Sequence, residues 1–200
     1  MNPYTLTLLR HGEIDHLGRL VGRTDLALTD TGHAQMRAAW DAIRAVAPVT
    51  ALAASPLARC RAFAVEAALE AALPLKLDAG FAEMDFGGWD GEPLARLEAA
   101  EPGWGGRVER GELVPPGGES FEVFRTRVLT ALAQWTRDAT GSHRVLIAHG
   151  GVITVLLAEL LSLPFSAARL IAVPRGGFAQ LSILDGHPAY LTRLTAPCVR

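Results

Sequence analysis

The chain has 200 residues, half of them hydrophobic and a fifth charged, with a formal net charge of −2. That is enough chain to bury one substantial core, and too apolar a chain to stay disordered. The near-neutral balance provides no general attraction to nucleic acid or to an anionic membrane, so anions must be held by locally gathered cations. Those cations are arginines, Lys76 being the only lysine, and the planar guanidinium fork suits phosphate oxygens.

Residues 5–9 form a short β-favouring run that stops at Arg10, His11 and Gly12, as a buried strand ending in a functional loop does. No basic leader precedes it, which argues against a signal peptide. Thr29-Asp30-Thr31-Gly32 is helix-start chemistry, and Met36, Trp40, Ile43 and Ala47 repeat at helical spacing up to Pro48. Residues 49–53 read as a second strand. Ser55-Pro56 then offers an N-cap and a first-turn proline for a helix through Leu73, whose stripe of Cys60, Phe63, Ala67 and Ala71 makes Cys60 a core residue. Residues 75–77 are a third strand.

From 81 to 118 Gly87-Gly88, Pro93, Pro102-Gly103, Gly105-Gly106 and Pro115-Pro116-Gly117-Gly118 interrupt any long element. Residues 84–118 are therefore expected to be a substrate-covering insertion. Phe121, Phe124, Val128, Leu132 and Trp135 mark a helix with Ser120 as its N-cap. An apolar strand over 144–148, the turn His149-Gly150-Gly151 and a helix over 152–161, apolar nearly all round, follow. His149, Gly150, Gly151 and Glu159 break residues 145–165 too often for a membrane span. Residues 170–173, 178–184 and 190–194, with the turn Pro174-Arg175-Gly176-Gly177, read as sheet-edge strands.

Strands alternating with helices imply one α/β domain over residues 1–200, with a largely parallel sheet and helices on both faces. Cys60 and Cys198 are isolated thiols that suggest neither a zinc cage nor a disulfide framework, and they fit a reducing cytoplasm. The high apolar fraction leaves room for a homodimer.

Two strand ends carry a histidine followed by glycine, at His11 and His149, and ligands of open α/β sheets gather at carboxyl strand ends. The two histidines are thus expected to meet. Their contexts, LLRHGE and AHGGVI, together with SPLARCR and EMDFGGWDG in the same order, resemble the histidine phosphatase (phosphoglycerate mutase-like) superfamily across essentially the whole chain. The resemblance implies a metal-independent phosphatase that needs no cofactor. In it His11 is the nucleophile, Glu83 the general acid and His149 the second catalytic histidine, while Arg10, Arg59 and His149 cradle the phosphate. The chemistry is coherent: a neutral imidazole attacks phosphorus, fixed cations stabilise the equatorial oxygens, and a carboxyl gives the leaving oxygen its proton. Asp85 is the rival acid, and Arg61 reads as a solvated side chain.

The pattern also departs from the superfamily. Its members often carry Thr or Ser after RHGE and an Asn soon afterwards, where this chain has Ile14, Asp15, His16 and Leu17. Thr24 or His16 then stands as a replacement phosphate ligand, against an exposed-loop reading of His16; His33, His143 and His187 read as structural or exposed. The segments VGRTDLALTDTG, EMDFGGWDG and PPGGESFEVFRTRV are most similar to the α-ribazole phosphatases, which implies a small-molecule phosphomonoester, α-ribazole 5′-phosphate, as substrate in cobalamin synthesis. Phe86 and Trp89 are candidates to stack its base or are core aromatics, and residues 104–118 read as a lid. The rival readings are a broad-specificity sugar or nucleotide phosphatase, a phosphoglycerate mutase, and a catalytically silent phosphate-binding module.

Overall fold

A computed structural model describes residues 3–184 and 186–197; Cys198 lies outside the described residues. Its elements in chain order are β1 (Tyr4–Arg10), α1 (Asp30–Arg44), β2 (Ala51–Ala54), α2 (Ala58–Ala71), β3 (Leu75–Leu77), α3 (Leu94–Ala100), α4 (Trp104–Glu109), α5 (Phe121–Asp138), β4 (His143–Ala148), α6 (Gly150–Leu160), α7 (Phe165–Ala168), β5 (Phe178–Ile183) and β6 (Tyr190–Thr195). The strands form one sheet in the order β3-β2-β4-β1-β5-β6. The first four run parallel, and β5 and β6 are antiparallel additions.

Alternation along the strands divides the core in two. Leu6 and Leu8 of β1 pack with Leu146 of β4 against Phe124, Val128 and Val152 of α5 and α6. Leu9, one residue out of phase, packs with Val145 and Ile147 against Met36, Trp40 and Phe63 of α1 and α2. A period of two on buried strands with helices on both faces explains the near-continuous apolar runs. Each large side chain buried there stabilises the fold by about 1.5–3 kcal/mol.

The helix starts follow local chemistry, with one correction. Thr29 Oγ1 accepts from Gly32 N at 2.9 Å and Ser120 Oγ from Val123 N at 3.3 Å, as N-caps do. Ser55 does not cap α2: Leu57 holds that position, Ala58 N donates 2.5 Å to Asp25 Oδ1 from a distant loop, and Ser55 is engaged elsewhere. Residues 170–173 are not a strand either. Leu170 and Ile171 form a turn and bend after α7, residues 172–173 are irregular, and Val173 O accepts from Arg10 Nη1 at 3.0 Å, so this carbonyl serves a side chain rather than a ladder. Strand β5 lies between β1 and β6, not at an edge. Within 84–118, α3 and α4 are short helices among turns. No described helix is long and apolar enough to cross a membrane.

Candidate active site

Parallel register brings the two histidines together. Arg10 of β1 stands opposite Ala148 of β4, so the next residue of each strand, His11 and His149, leaves the sheet at the same edge. The backbone N–H of His11 donates 3.0 Å to Ala148 O, and the ring centroids lie 5.3 Å apart, edge to face. From β1 the chain crosses to β2 on one side of β4; from β4 it proceeds to β5 on the other side of β1. Such a switch point opens a crevice at the strand ends.

Both rings are held in defined tautomers. His11 Nδ1 donates 2.8 Å to Gly12 O, which leaves the lone pair on Nε2. His11 is only 5 % exposed, and burial pushes its pKa down to about 3 against the pull of the Gly12 bond; the charges of Arg59, Arg10 and Arg175 act in the same direction as burial. His149 is fully buried and is driven well below the ordinary histidine value, first by burial and then by Arg59. Its Nδ1 accepts from Arg59 Nε at 3.2 Å, so Nε2 carries the proton and donates 2.7 Å to Ser55 Oγ. Cys60 Sγ lies 3.7 Å from the same ring; its buried thiol has its pKa raised by desolvation and stays protonated.

Arg59 is almost wholly buried, with Nη1 donating 2.9 Å to Thr24 O and Nη2 2.7 Å to Gly22 O. Thr24 therefore meets the site through its carbonyl, while the residue itself is exposed. Asp90 holds that loop, its carboxylate accepting from the backbone N–H groups of Gly22, Arg23 and Thr24 at 2.9, 2.6 and 2.7 Å. Arg10 spends one nitrogen on Val173 O and keeps a buried Nε without a partner. The Nε atoms of Arg23 and Arg175 are in the same condition. Arg175 rides on the turn predicted from Pro174-Arg175-Gly176-Gly177. That turn is fastened to the loop of His11: Gly176 N donates to His11 O at 3.0 Å, and Gly177 O accepts from Arg10 N at 3.0 Å.

Glu83 sits at the start of α6, its Oε2 accepting from Gly151 N at 3.1 Å and its Oε1 from Met84 N at 3.0 Å. Gly150 and Gly151 leave room for the side chains of Arg10 and Glu83. A Cβ on Gly150 would come within 3.1 Å of Arg10 Cζ, and one on Gly151 within 2.5 Å of Glu83 Oε1. Asp85, the rival carboxylate, accepts from Gly87 N two residues on, at 2.9 Å. Beside Glu83 opens a cavity of about 240 Å³ walled by Phe86, Trp104, Phe121, Phe124 and Phe165. Phe86 is thus on the wall, while Trp89 packs edge-on against Trp104 from behind.

The structure thus assembles Arg10, His11, Arg59, Glu83 and His149 at one sheet edge. His16 lines a surface cleft with Glu13 and Arg175. Arg61 is exposed, His33 pairs with Glu66 at the surface, and His143 is tied to Thr7 and Ala47. Sequence reasoning did not find the roles of Ser55, Asp90 or Arg175. Asp90 was in view inside EMDFGGWDG and Arg175 inside a turn, but their contacts are with residues remote in sequence. Among the described residues no cluster of three or more His, Cys, Asp and Glu stands where it could share a metal ion.

One edge of an α/β sheet thus carries, at a switch point, two histidines held neutral by burial, the buried Arg59, the half-buried Arg10 and one carboxylate. The chain belongs to the histidine phosphatase superfamily (branch 1), whose family model matches residues 6–194. It is 32% identical over 201 residues to the glucosyl-3-phosphoglycerate phosphatase of Mycobacterium tuberculosis, covering 94% of this chain and 87% of that one. The bifunctional protein Rv2228c of the same species is 30% identical over 161 residues, and the match spans 79% of this chain but only 42% of that longer protein. A solved structure from Escherichia coli, described as a candidate α-ribazole-5′-P phosphatase, superposes with a TM-score of 0.84 at 25% identity, covering 98% of this chain and 97% of that one.

Proposed function

We propose that this phosphatase hydrolyses phosphomonoesters through a phosphohistidine on His11, with no metal, and that its substrate is α-ribazole 5′-phosphate. The observation that carries the mechanism is the Nδ1–H bond from His11 to Gly12 O, which presents an Nε2 lone pair among three arginine charges. Nε2 attacks phosphorus and the ester P–O bond breaks. The leaving oxygen takes the Glu83 proton, and Gly12 O steadies the ring as it becomes cationic. Water then gives a proton to Glu83 while its oxygen displaces Nε2, restoring a neutral imidazole and releasing phosphate. Arg10, Arg59 and Arg175 bear the charge on the phosphoryl oxygens. A phosphate contact from His149 exchanges the Ser55 hydroxyl for a phosphoryl oxygen, and Thr24 contributes by holding Arg59.

The aromatic cavity beside Glu83 supports a leaving alcohol with a flat apolar face, as a benzimidazole nucleoside has. In that role the enzyme serves cobalamin synthesis in the cytoplasm. The 32% identity to a glucosyl-3-phosphoglycerate phosphatase favours a second reading, in which a hydroxyl-rich alcohol occupies the cavity. Hydrolysis of α-ribazole 5′-phosphate, glucosyl-3-phosphoglycerate, 3-phosphoglycerate and an aryl phosphate is to be compared for wild type and His11→Ala, all in EDTA. Preference for α-ribazole 5′-phosphate, lost in the variant, is expected. Preference for the glucosyl ester transfers the assignment to the second reading, and activity that survives His11→Ala sinks the phosphohistidine.

A further inference from the structure

We infer that Arg127, with Glu119, is the positioning residue that sets Glu83 against the leaving oxygen; this rests on the reading of Glu83 as general acid. Arg127 lies on α5 with a side chain 20 % exposed, and all five of its N–H donors are used. Nη1 donates to Gly80 O at 3.0 Å and Ala82 O at 2.8 Å, and Nη2 to Glu83 O at 2.9 Å. The rest of the fork grips Glu119, Nε to Oε2 at 2.9 Å and Nη2 to Oε1 at 2.6 Å. Glu119 Oε1 also accepts from Asp85 N at 2.8 Å, and Glu119 N donates to Asp85 O at 3.0 Å. The pair thus holds the backbone at 80, 82, 83 and 85, on both sides of Glu83.

Segment 82–86 belongs to no helix or strand, so its carbonyls have no ladder to join. The guanidinium takes that place from behind, facing a cleft lined by Gly80, Thr126 and Thr130 rather than the aromatic cavity. The guanidinium lies 4.9 Å from the centroid of the Phe124 ring, a contact that one apolar side chain in its place would also make without the five hydrogen bonds. Phe124, Val128 and Leu132 already anchor α5, and a part-buried ion pair is weak evidence for stability, since apolar replacements are often as stable. What a five-pointed contact adds is a fixed position for one carboxylate. Glu119 further lies 3.9 Å from Arg23, at the limit of an ion pair, and neither Glu119 nor Arg127 bonds to Arg10, His11 or Arg59.

The test reads the leaving group. An alkyl phosphate needs a proton delivered to its departing oxygen, whereas p-nitrophenolate leaves without one. For Arg127→Met, kcat/KM on the alkyl ester should fall by tenfold or more, on the order of what an ångström of misplacement costs. On p-nitrophenyl phosphate it should stay within about threefold of wild type, since the strut does not touch the cradle's work on the phosphoryl group. Arg127→Lys should recover part of the loss, and Glu83→Gln should show the same selectivity in stronger form. Equal losses on both esters, or none, in the Arg127 variants overturn the inference while Glu83→Gln remains selective. If Glu83→Gln is not selective, the acid assignment fails and takes the inference with it. Should Arg127→Met not fold by circular dichroism, the alkyl-to-aryl ratio of Arg127→Lys decides, and a wild-type ratio overturns the inference.

Discussion

Arg59 Nε donates to His149 Nδ1 across 3.2 Å, and this one bond decides which nitrogen of the second histidine carries the proton. The proton on Nε2 then points at Ser55 Oγ, 2.7 Å away, in a place with no access to water. The residue that looked like a helix cap is therefore the acceptor for a site histidine.

Ser55→Ala leaves that N–H buried and unpaired. Stability to urea should fall by about 1–3 kcal/mol, the cost of an unsatisfied buried donor. If Nε2–H is then given to a phosphoryl oxygen, saturating inorganic phosphate should restore part of the loss. An equal loss with and without phosphate would show that His149 does not donate to the anion.

Asp90 controls Arg59 at one remove. Its carboxylate gathers three backbone N–H groups, and the loop so gathered presents two carbonyls to the guanidinium. Asp90→Asn turns an amide N–H toward donors where an oxygen accepted before, and should cost roughly 1.5–3 kcal/mol for each charge-assisted bond lost. With Arg59 loosened, KM for a phosphomonoester should rise about tenfold, the equivalent of about 1.4 kcal/mol of binding, with a smaller change in kcat. Unchanged KM in a folded variant would separate Asp90 from the cradle.

The meeting of His11 and His149 was legible because each follows an apolar strand run, and because adjacent parallel strands in register end side by side. Glu83 and Arg59 were legible through their motifs, not through periodicity. The roles of Ser55, Asp90 and Arg175 were not legible. Ser55 bonds a residue 94 positions away and Asp90 residues 66 to 68 away, and no local pattern registers such contacts. The apolar stretch at 170–173 misled for a related reason. Its composition suits a strand, but the carbonyl of Val173 is taken by Arg10, and the chain there turns to deliver Arg175.

The two neutral histidines make stability depend on pH. In the unfolded chain each binds a proton below its ordinary value of 6.5, whereas in the folded chain His11 refuses one until about pH 3 and His149 is likewise depressed. The unfolded state thus binds more protons in this window, so stability is complete above pH 6.5 and declines as pH falls toward 3. Each histidine contributes a slope of about 1.4 kcal/mol per pH unit. Urea unfolding of wild type and His11→Asn between pH 4 and 7 isolates one of them, because the carboxylate background cancels in the difference. The variant should lose about 1.4 kcal/mol per unit of slope, and equal slopes would mean that His11 is not held neutral.

Gly151→Ala sets stability against activity. Gly151 lies in the first turn of α6, where alanine removes backbone freedom from the unfolded chain and favours the helix by up to about 1 kcal/mol. The new Cβ, however, falls 2.5 Å from Glu83 Oε1 and 3.3 Å from Phe124 Cζ. The phenyl ring is locked in the core, so the carboxylate has to move, and it gives up its bond from Gly151 N as it does so. The variant should unfold within about 1 kcal/mol of wild type. It should nonetheless lose between about tenfold and a hundredfold in kcat/KM on an alkyl phosphate, because a general acid acts only at hydrogen-bond distance from the oxygen it protonates. Inorganic phosphate should inhibit it as it does wild type, since the atoms nearest the added methyl belong to Glu83 and Phe124 and not to Arg10, Arg59 or His11. Full activity on the alkyl ester would place the proton donor somewhere other than Glu83, whereas weakened phosphate inhibition would mean that the methyl disturbs the arginine cradle as well as the acid.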